Sequence, residues 1–296
     1  MNKEELVKKI NDAVADMQSK VQFVNEKKQH RYQVKVTGEW LQGVSSVSSI
    51  VPKDWLSAWG AKEAVKFLGY SDYEGDTDRA KEVMEIIDGF TSDADKSKEE
   101  KFIKFLAEAK GASSRKSKTA LVDGKLGHKW LEDFVGAKIR GQLLPTIPEG
   151  SLQRPLTQFL AWEAENVDYW ILSEAIVAYP EKKYCGTLDG LAMLKNGHLA
   201  LIDFKFASHI SEDYFLQCAG YQATFEPYGI KIDNRVIIRL PKTLEREEYD
   251  EKTHKYKMVA NDLEVKVLNG SYEFDRDVFF HALPLKQWCN QYLKKF

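Results

Sequence analysis

The first half of the chain is dominated by apolar residues spaced three and four positions apart, which is the period of an amphipathic helix. A short alternating segment follows the first of these helices and predicts a strand. The segment 70–118 is the most polar part of the chain, and we interpret it as helices with solvated faces. The predicted elements are a helix at 2–27, a strand at 31–38, a helix carrying Trp55 and Trp59, and helices at about 119–140 and 153–165.

The second half shows short apolar runs bounded by turn residues, the pattern of buried strands. One helix interrupts them at about 211–226, where Ser211 is a suitable N-cap and Pro227 follows the last turn. A helical N-terminal part that leads into a mixed sheet flanked by helices is an α/β (α+β) architecture. The predicted strands are WILSEAIVAYP, YCGTLDGLAML, HLALIDFKFA, RVIIRL and LEVKVL, and a final helix begins at about 275.

The composition narrows the class of protein. With 296 residues and 43% hydrophobic content, the chain can bury a full core. The net charge of -2 creates no global positive field, so any nucleic-acid surface would have to be local. Three scattered cysteines form neither a disulfide framework nor a four-cysteine iron–sulfur site. The chain shows no signal peptide and no membrane-length apolar run, so we expect a soluble, cytoplasmic protein that does not interact with membranes.

Three charged residues interrupt the apolar strands: Asp189, Asp203 and Lys205. Charges inside strands are costly unless something compensates them. Strand side chains alternate between faces, so Asp203 and Lys205 point the same way. A three-residue loop at 195–197, with Gly197 in the left-handed conformation, would set Asp189 directly opposite Asp203. A two-residue loop would place Asp189 on the other face, and the clean apolar face formed by the neighbouring residues favours the longer loop.

A divalent cation would turn the repulsion between two opposed carboxylates into attraction. Hard oxygen ligands suit Mg²⁺ or Mn²⁺. A lysine beside such a metal can orient or deprotonate a water, or stabilise the charge that grows on a phosphate. Together these groups could hydrolyse a phosphodiester. The ordinary alternative is an exposed Asp203–Lys205 ion pair on an edge strand, with Asp189 in a bend.

Two further pairs of residues flank these strands. His128 and Glu132 lie four positions apart on one helix face, where a neutral imidazole could add a metal ligand. Gln217 and Tyr221 have the same spacing on a later helix and could hydrogen-bond a nucleic-acid strand or brace the lysine. Taken alone, the first pair is more typical of a solvated helix and the second of ordinary packing.

In combination, the motifs G-x-x-x-H-x-x-x-E, G-T-x-D, D-x-K and Q-x-x-x-Y follow one another over about 119–240. This order resembles the RecB-like branch of the PD-(D/E)xK nuclease superfamily, which includes phage-encoded and mitochondrial single-strand exonucleases. The resemblance implies a restriction-endonuclease-like core that binds Mg²⁺ or Mn²⁺. It implies metal binding by His128, Asp189, Asp203 and the backbone carbonyl of Phe204, and catalytic roles for Asp189, Asp203, Lys205, Gln217, Tyr221 and Glu174.

The chain departs from this family in a few places. No proline precedes Asp189, and the acid of the D-x-K motif is Asp203 rather than a glutamate. Iron–sulfur relatives have four cysteines, which this chain lacks, so no cluster is implied. No Walker motif is present, so any coupling to ATP would need a partner protein.

A basic run leads into the predicted His128 helix. Lysines there could bind phosphates through salt-dependent contacts, and a nearby tryptophan could stack on unpaired bases. The alternatives are a solvated helix face for the lysines and core packing for the tryptophan. The predicted nucleic-acid-binding residues are Lys116, Lys118, Lys125, Lys129 and Trp130.

We therefore expect a mostly helical region at 1–118, whose polar insertion is a cap or DNA-binding part, followed by a nuclease core at 119–296. The expected function is that of a metal-dependent deoxyribonuclease, an exonuclease acting on DNA ends with single-stranded DNA favoured. The expected setting is replication, recombination or phage genome processing in the host cytoplasm, with a replication or recombination protein as partner. A non-catalytic nucleic-acid-binding scaffold and a nuclease subunit of a larger complex stay open as alternatives.

Overall fold

The computed structural model describes residues 2–26, 29–53, 55–71, 77–91, 97–250 and 255–293. The chain divides into two compact units. The core unit comprises Met1–Val51, Lys125–Lys242 and Asp262–Phe296, and the second unit comprises Pro52–Gly124 and Thr243–Asn261. This division differs from the predicted boundary after residue 118, because the first helix and the first strands pack with the core unit.

Consecutive helices occupy most of the chain between residues 44 and 166, and the strands lie before and after that stretch. The helices are α1 (Lys3–Lys20), α2 (Val44–Ser48), α3 (Trp55–Phe67), α4 (Asp78–Thr91), α5 (Ser97–Lys110), α6 (Ala112–Arg140), α7 (Gln153–Asn166), α8 (Asp213–Ala223) and α9 (Tyr272–Tyr292). The strands are β1 (Val21–Glu26), β2 (Gln29–Val34), β3 (Trp40–Gly43), β4 (Val167–Tyr179), β5 (Tyr184–Leu194), β6 (Leu199–Lys205), β7 (Asn234–Arg239), β8 (Glu245–Asp250), β9 (Lys255–Ala260) and β10 (Glu264–Leu268).

The first helix ends earlier than its apolar spacing predicts. Asn2 and Glu5 cap its start through reciprocal side-chain-to-backbone hydrogen bonds. Its predicted last turns instead form β1, which pairs antiparallel with β2 from Val21 opposite Val34 onward. The helix prediction for residues 21–26 was therefore wrong, because hairpin pairing satisfies these backbone groups and outweighs a periodicity that Val21 and Val24 happen to continue.

The central sheet of the core unit runs in the order β1-β2-β3-β5-β6-β7-β10, and β4 pairs with the other side of β5. On the side away from β4, β5 changes partner along its length. Tyr184 and Cys185 pair with β3, whereas the residues from Gly190 to Met193 pair with β6. Within the described sheet, the intervening residues 186–189 therefore lie beside neither strand, and they form a gap in the ladder.

Helices cover both faces of this sheet. One face, which includes Leu191 and Leu201, packs in a hydrophobic cluster with residues of α1, α2, α8 and α9. The opposite face, which includes Ala192 and Ile202, packs against residues of α6 and α7. The parallel pair β6 and β7 sits among antiparallel neighbours. The mixed sheet flanked by helices confirms the predicted α/β fold class and is consistent with a restriction-endonuclease-like core.

The second unit contains α3, α4, α5, the first part of α6 and the β8–β9 hairpin. Phe67 packs on Phe105 with ring centroids 5.3 Å apart, and Arg115 lies over the Phe67 ring. The described parts of the segment 70–118 are helical, as predicted; residues 72–76 and 92–96 and the side chain of Trp55 lie outside what the structure describes. Among the described residues, no helix combines the length and apolarity needed to cross a membrane.

Candidate metal centre

The hairpin between β5 and β6 has the predicted register. Ala192 pairs with Ala200, and the Leu194 N–H donates to the His198 carbonyl at 2.9 Å. Gly197 has a φ of 82°, the left-handed conformation that closes a three-residue loop. The last regular pair is Gly190 with Ile202, so one further step along both strands places Asp189 across from Asp203. The predicted loop length and register are therefore confirmed.

Asp189 lies at the end of the gap in β5. Regular pairing with β6 ends at Gly190, the residue that follows Asp189 in the sequence. The Asp189 carboxylate instead accepts a hydrogen bond from the Phe204 N–H at 2.7 Å. This side chain therefore takes the place of a ladder carbonyl and is held in a fixed orientation. Burial raises the pKa of the Asp189 carboxyl, while Lys205 and the Phe204 N–H act in the opposite direction.

Glu174 lies on β4 directly across from Asp189. The pairs that flank it are Ser173 with Gly190 and Ala175 with Leu188. Glu174 has a φ of 46°, a left-handed conformation that is unusual for a residue with a Cβ in a strand. Burial, followed by repulsion from the neighbouring acids, raises the pKa of the Glu174 carboxyl to about 8. A half-buried acid with a raised pKa on a strained backbone is a combination often found at functional sites.

His128 reaches the same point from α6. Its neighbour Gly127 lies against the ring of Phe206, and a Cβ at Gly127 would overlap that ring. The close approach brings the His128 imidazole to 5.4 Å from the Phe206 ring centroid in an edge-to-face contact. Burial, followed by the positive charge of Lys205, lowers the pKa of His128 to about 4. The imidazole is therefore neutral near pH 7, the form that binds metals.

These three side chains form one cluster. One ligand atom each from His128, Glu174 and Asp189 lies within 4.8 Å of the other two. Two carboxylates and an imidazole at this separation could hold a divalent cation. Sequence reasoning had assigned His128 and Asp189 to the metal and had assigned Glu174 a catalytic role, so the structure brings Glu174 closer to the ligand set than expected.

Asp203 and Lys205 form a buried pair beside this cluster. The Lys205 ammonium donates to Asp203 Oδ1 at 2.8 Å and lies 2.7 Å from Oδ2. The Asp203 side chain is only 1% exposed, so this ion pair is shielded from water. Burial raises the pKa of Asp203 to about 6, although Lys205 opposes this shift. Burial also lowers the pKa of Lys205, but Asp203 and Asp189 outweigh it and raise that pKa above its ordinary value.

The accessory helix α8 faces the gap in β5. Gln217 donates to the Tyr221 hydroxyl at 3.2 Å, so the predicted pair is in contact. A Cβ at Gly186 would meet the Tyr221 ring at 2.8 Å, which explains the glycine at that position in β5. Thr187, in the gap, shares a hydrogen bond of 2.8 Å with the hydroxyl of Tyr32. A cleft of about 660 Å³ adjoins these residues.

Two residues near the site were missed by sequence reasoning. Tyr32 contacts the site only because β2 and β3 join the sheet beside β5, and nothing in its local sequence indicates this. Tyr214 lies with its ring centroid 4.9 Å from the Lys205 ammonium. Its spacing of three residues before Gln217 could have indicated a shared helix face.

The first turn of α8 also differs from prediction: Glu212 is the N-cap, and Ser211 contributes its backbone carbonyl to the Tyr214 N–H.

The predicted nucleic-acid-binding residues divide between the units. Lys116 and Lys118 belong to the second unit, where Lys116 pairs with Glu63 at 2.8 Å. Lys125 and Lys129 belong to the core unit, and Lys129 bridges Glu132 and Asp133 at 3.0 Å each.

Trp130 lies in the core, contrary to the predicted role in base stacking. It is only 7% exposed, stacks on Phe134, and donates its indole N–H to the Thr146 carbonyl at 2.8 Å. Because both the ring face and the polar edge are occupied, we exclude Trp130 from the candidate DNA surface. Lys129 next to it points outward, since adjacent helix positions do not share a face.

Comparison with known proteins does not establish a family for this chain. No family model matches the chain, and no curated protein sequence matches it. One solved structure, described as the crystal structure of LHK-Exo in complex with dAMP, is similar over 56% of this chain and 83% of that chain, with 13% identity and a TM-score of 0.27. A likeness this slight says nothing about function, which has to be argued from the site itself.

Proposed function

We propose that the chain is a divalent-metal-dependent deoxyribonuclease that hydrolyses phosphodiester bonds. We propose further that it is an exonuclease acting on DNA ends, with single strands favoured. The observation that carries the proposal is the position of the His128–Glu174–Asp189 cluster beside the Asp203–Lys205 pair. A cation site and an adjacent buried ammonium are two positive centres that can stabilise the negative charge of a phosphoryl-transfer transition state.

The residues present fit Mg²⁺ or Mn²⁺. Glu174 and Asp189 repel each other, and a cation would remove that repulsion. His128 and these two acids would hold the metal, with Asp203 and the Phe204 carbonyl as the further ligands expected from the sequence. Both Asp203 oxygens lie within 2.8 Å of the Lys205 ammonium, so Asp203 would bind the cation by sharing an oxygen with that ammonium. The bound cation would polarise the phosphate and lower the pKa of a bound water.

We assign Lys205 only one of the roles that the sequence left open. Its raised pKa keeps the ammonium protonated near neutral pH, so it can donate hydrogen bonds but does not accept a proton from water. We assign it to stabilising negative charge on the phosphate. Tyr221 packs against Gly186 and lines the adjoining cleft, and Gln217 donates a hydrogen bond to its hydroxyl. We assign this pair to bracing the strand next to the scissile phosphate.

The DNA strand would lie along the cleft that opens beside the gap in β5. Arg31 and Trp40 line one end of the cleft, and Gln287 and Asn290 line it from α9. A guanidinium, an aromatic ring and two amides are groups that contact phosphates, bases and sugars. Lys125, exposed on α6 in the core unit, would add a phosphate contact.

The test of this function is cleavage of end-labelled DNA. Linear and circular substrates, single- and double-stranded, are incubated with Mg²⁺, with Mn²⁺ and with chelator. We expect metal-dependent loss of linear substrates, strongest for single strands, and no loss of circles. Lys205→Met, which preserves side-chain length without the charge, should abolish cleavage.

Calorimetric titration with Mn²⁺ separates metal binding from chemistry. Asp189→Asn should lose binding, whereas the matched control Asp12→Asn, an exposed aspartate paired with Lys8 on α1, should keep it. Cleavage of circles would exclude the exonuclease assignment. Mn²⁺ binding without cleavage of any substrate would exclude the enzyme and leave a metal-binding scaffold.

A further inference from the structure

The Lys205 ammonium has two kinds of neighbour. On one side is the Asp203 carboxylate, with both oxygens within 2.8 Å of Nζ. On the other side is the ring of Tyr214, whose centroid lies 4.9 Å away. That distance is within the range in which an aromatic face attracts a cation. The Lys205 side chain is only 15% exposed, so this attraction operates where water competes weakly.

The two neighbours respond differently to a bound metal. A cation near Asp203 would oppose the attraction between that carboxylate and the ammonium, because the cation repels the ammonium directly. The attraction between the Tyr214 ring face and the ammonium does not pass through a carboxylate that the cation would bind, so it would remain. Tyr214 is therefore suited to hold the ammonium in place when the carboxylate is shared.

The position of Tyr214 on α8 supports this role. Tyr214, Gln217 and Tyr221 follow one another at three- and four-residue spacing and so lie on one helix face. Tyr221 packs against Gly186 at the far end of this face, and Tyr214 covers Lys205 at the near end. The Tyr214 N–H is itself fixed by the Ser211 carbonyl at 3.1 Å.

We propose that Tyr214 is a positioning residue that holds the Lys205 ammonium at the metal centre through its ring face. The inference rests on the proposed nuclease function and extends the Q-x-x-x-Y motif by one turn. The ring rather than the hydroxyl is the active part, so phenylalanine should replace tyrosine and an aliphatic side chain should not.

The experiment compares Tyr214→Phe, Tyr214→Leu and a matched control. Phe215→Leu removes an aromatic ring from the adjacent position of the same helix, where that ring faces Lys266 instead. Tyr214→Leu should lower kcat about tenfold, the size of one desolvated cation–π contact, with KM within about twofold of the wild type. Tyr214→Phe and Phe215→Leu should keep wild-type kcat.

A second readout does not depend on catalysis. In chelator-treated protein labelled at lysine, the side-chain NMR signal of Lys205, assigned with Lys205→Met, should show a ring-current shift. The shift should persist in Tyr214→Phe and disappear in Tyr214→Leu. An unchanged signal in Tyr214→Leu, or an equal loss of kcat in the phenylalanine and leucine variants, would overturn the inference. If the wild type cleaves no substrate, the proposed function fails and the NMR shift alone decides whether Tyr214 holds Lys205.

Discussion

Glu174 combines two unfavourable features at one position. Its backbone is left-handed, which costs a residue with a Cβ about 1 to 3 kcal/mol, and its carboxyl is held among other acids. A bound cation would remove the repulsion between the Glu174 carboxyl and the neighbouring acids. Metal binding is thus a physical reason for a glutamate at a position whose backbone conformation favours glycine.

Glu174→Gly should therefore stabilise the chelator-treated protein while weakening metal binding. We expect the relief of backbone strain and the loss of a half-buried acid to outweigh the about 0.5 to 1 kcal/mol that a glycine costs within a strand. Thermal unfolding with chelator and Mn²⁺ titration measure the two effects. Glu174→Gln, which keeps the strain, should gain less stability. A glycine variant that unfolds at lower temperature than the wild type would show that the conformation is not strained.

The Glu174 carboxyl should also make stability depend on pH. Its folded-state pKa is raised to about 8 from an ordinary value of 4.5, so its contribution is fully present below pH 4.5 and is lost as pH rises through 8. In urea unfolding with chelator, the wild type should lose stability relative to Glu174→Gln over this window and run parallel to it above pH 8. A constant difference from pH 5 to pH 8 would contradict the raised pKa.

At the scale of elements, the helix α6 is positioned by a single glycine. Gly127→Ala would force α6 away from Phe206 and should cost about 1 to 3 kcal/mol of stability, as overpacking does. It should also lower Mn²⁺ affinity, because His128 moves with the helix. Gly136→Ala is the matched control, since its Cβ would meet only the flexible guanidinium of Arg140 at 2.9 Å.

The control should be neutral or stabilising, because alanine is a better helix former than glycine by about 1 kcal/mol. Chemical unfolding and Mn²⁺ titration of both variants test this pair. Equal effects of the two substitutions would show that the contact with Phe206 does not position His128.

Elements differ in how well the sequence predicts them. The bounds of β5 match the predicted run at 184–194, and the hairpin register follows from Gly197 because loop geometry and alternation are local rules. Val21–Glu26 and Trp130 were misjudged because hairpin pairing and burial decide them. The backbone conformation of Glu174 and the contact of the Tyr214 ring with Lys205 depend on how separate elements pack together, which the pattern within one element does not contain.

At the scale of the whole molecule, a net charge of -2 leaves DNA binding to a few local cations. Lys129 is already neutralised by Glu132 and Asp133, whereas no ion pair to Lys125 occurs within the described part of the chain. Lys125→Ala should therefore weaken binding of single-stranded DNA and reduce the salt slope by about 1. Lys129→Ala should change both quantities less.

Fluorescence anisotropy at several salt concentrations, with chelator to prevent cleavage, gives the affinity and the slope. A larger effect of Lys129→Ala than of Lys125→Ala would show that DNA breaks the intrahelical pairs on α6. Unchanged binding in both variants would remove α6 from the DNA surface.

The loop at 195–197 bears on how this protein can vary during evolution. The loop carries no chemistry and lies about 20 Å along the strand from Asp189, at the usual rise per residue. Its length nevertheless decides which face Asp189 points to, because a one-residue slip reverses every side chain of a strand. Substitutions at Lys195 and Asn196 should cost only their exposed side-chain hydrogen bonds to Ala164 and His198. A single-codon insertion or deletion there should instead abolish the metal centre, as the loss of a ligand would.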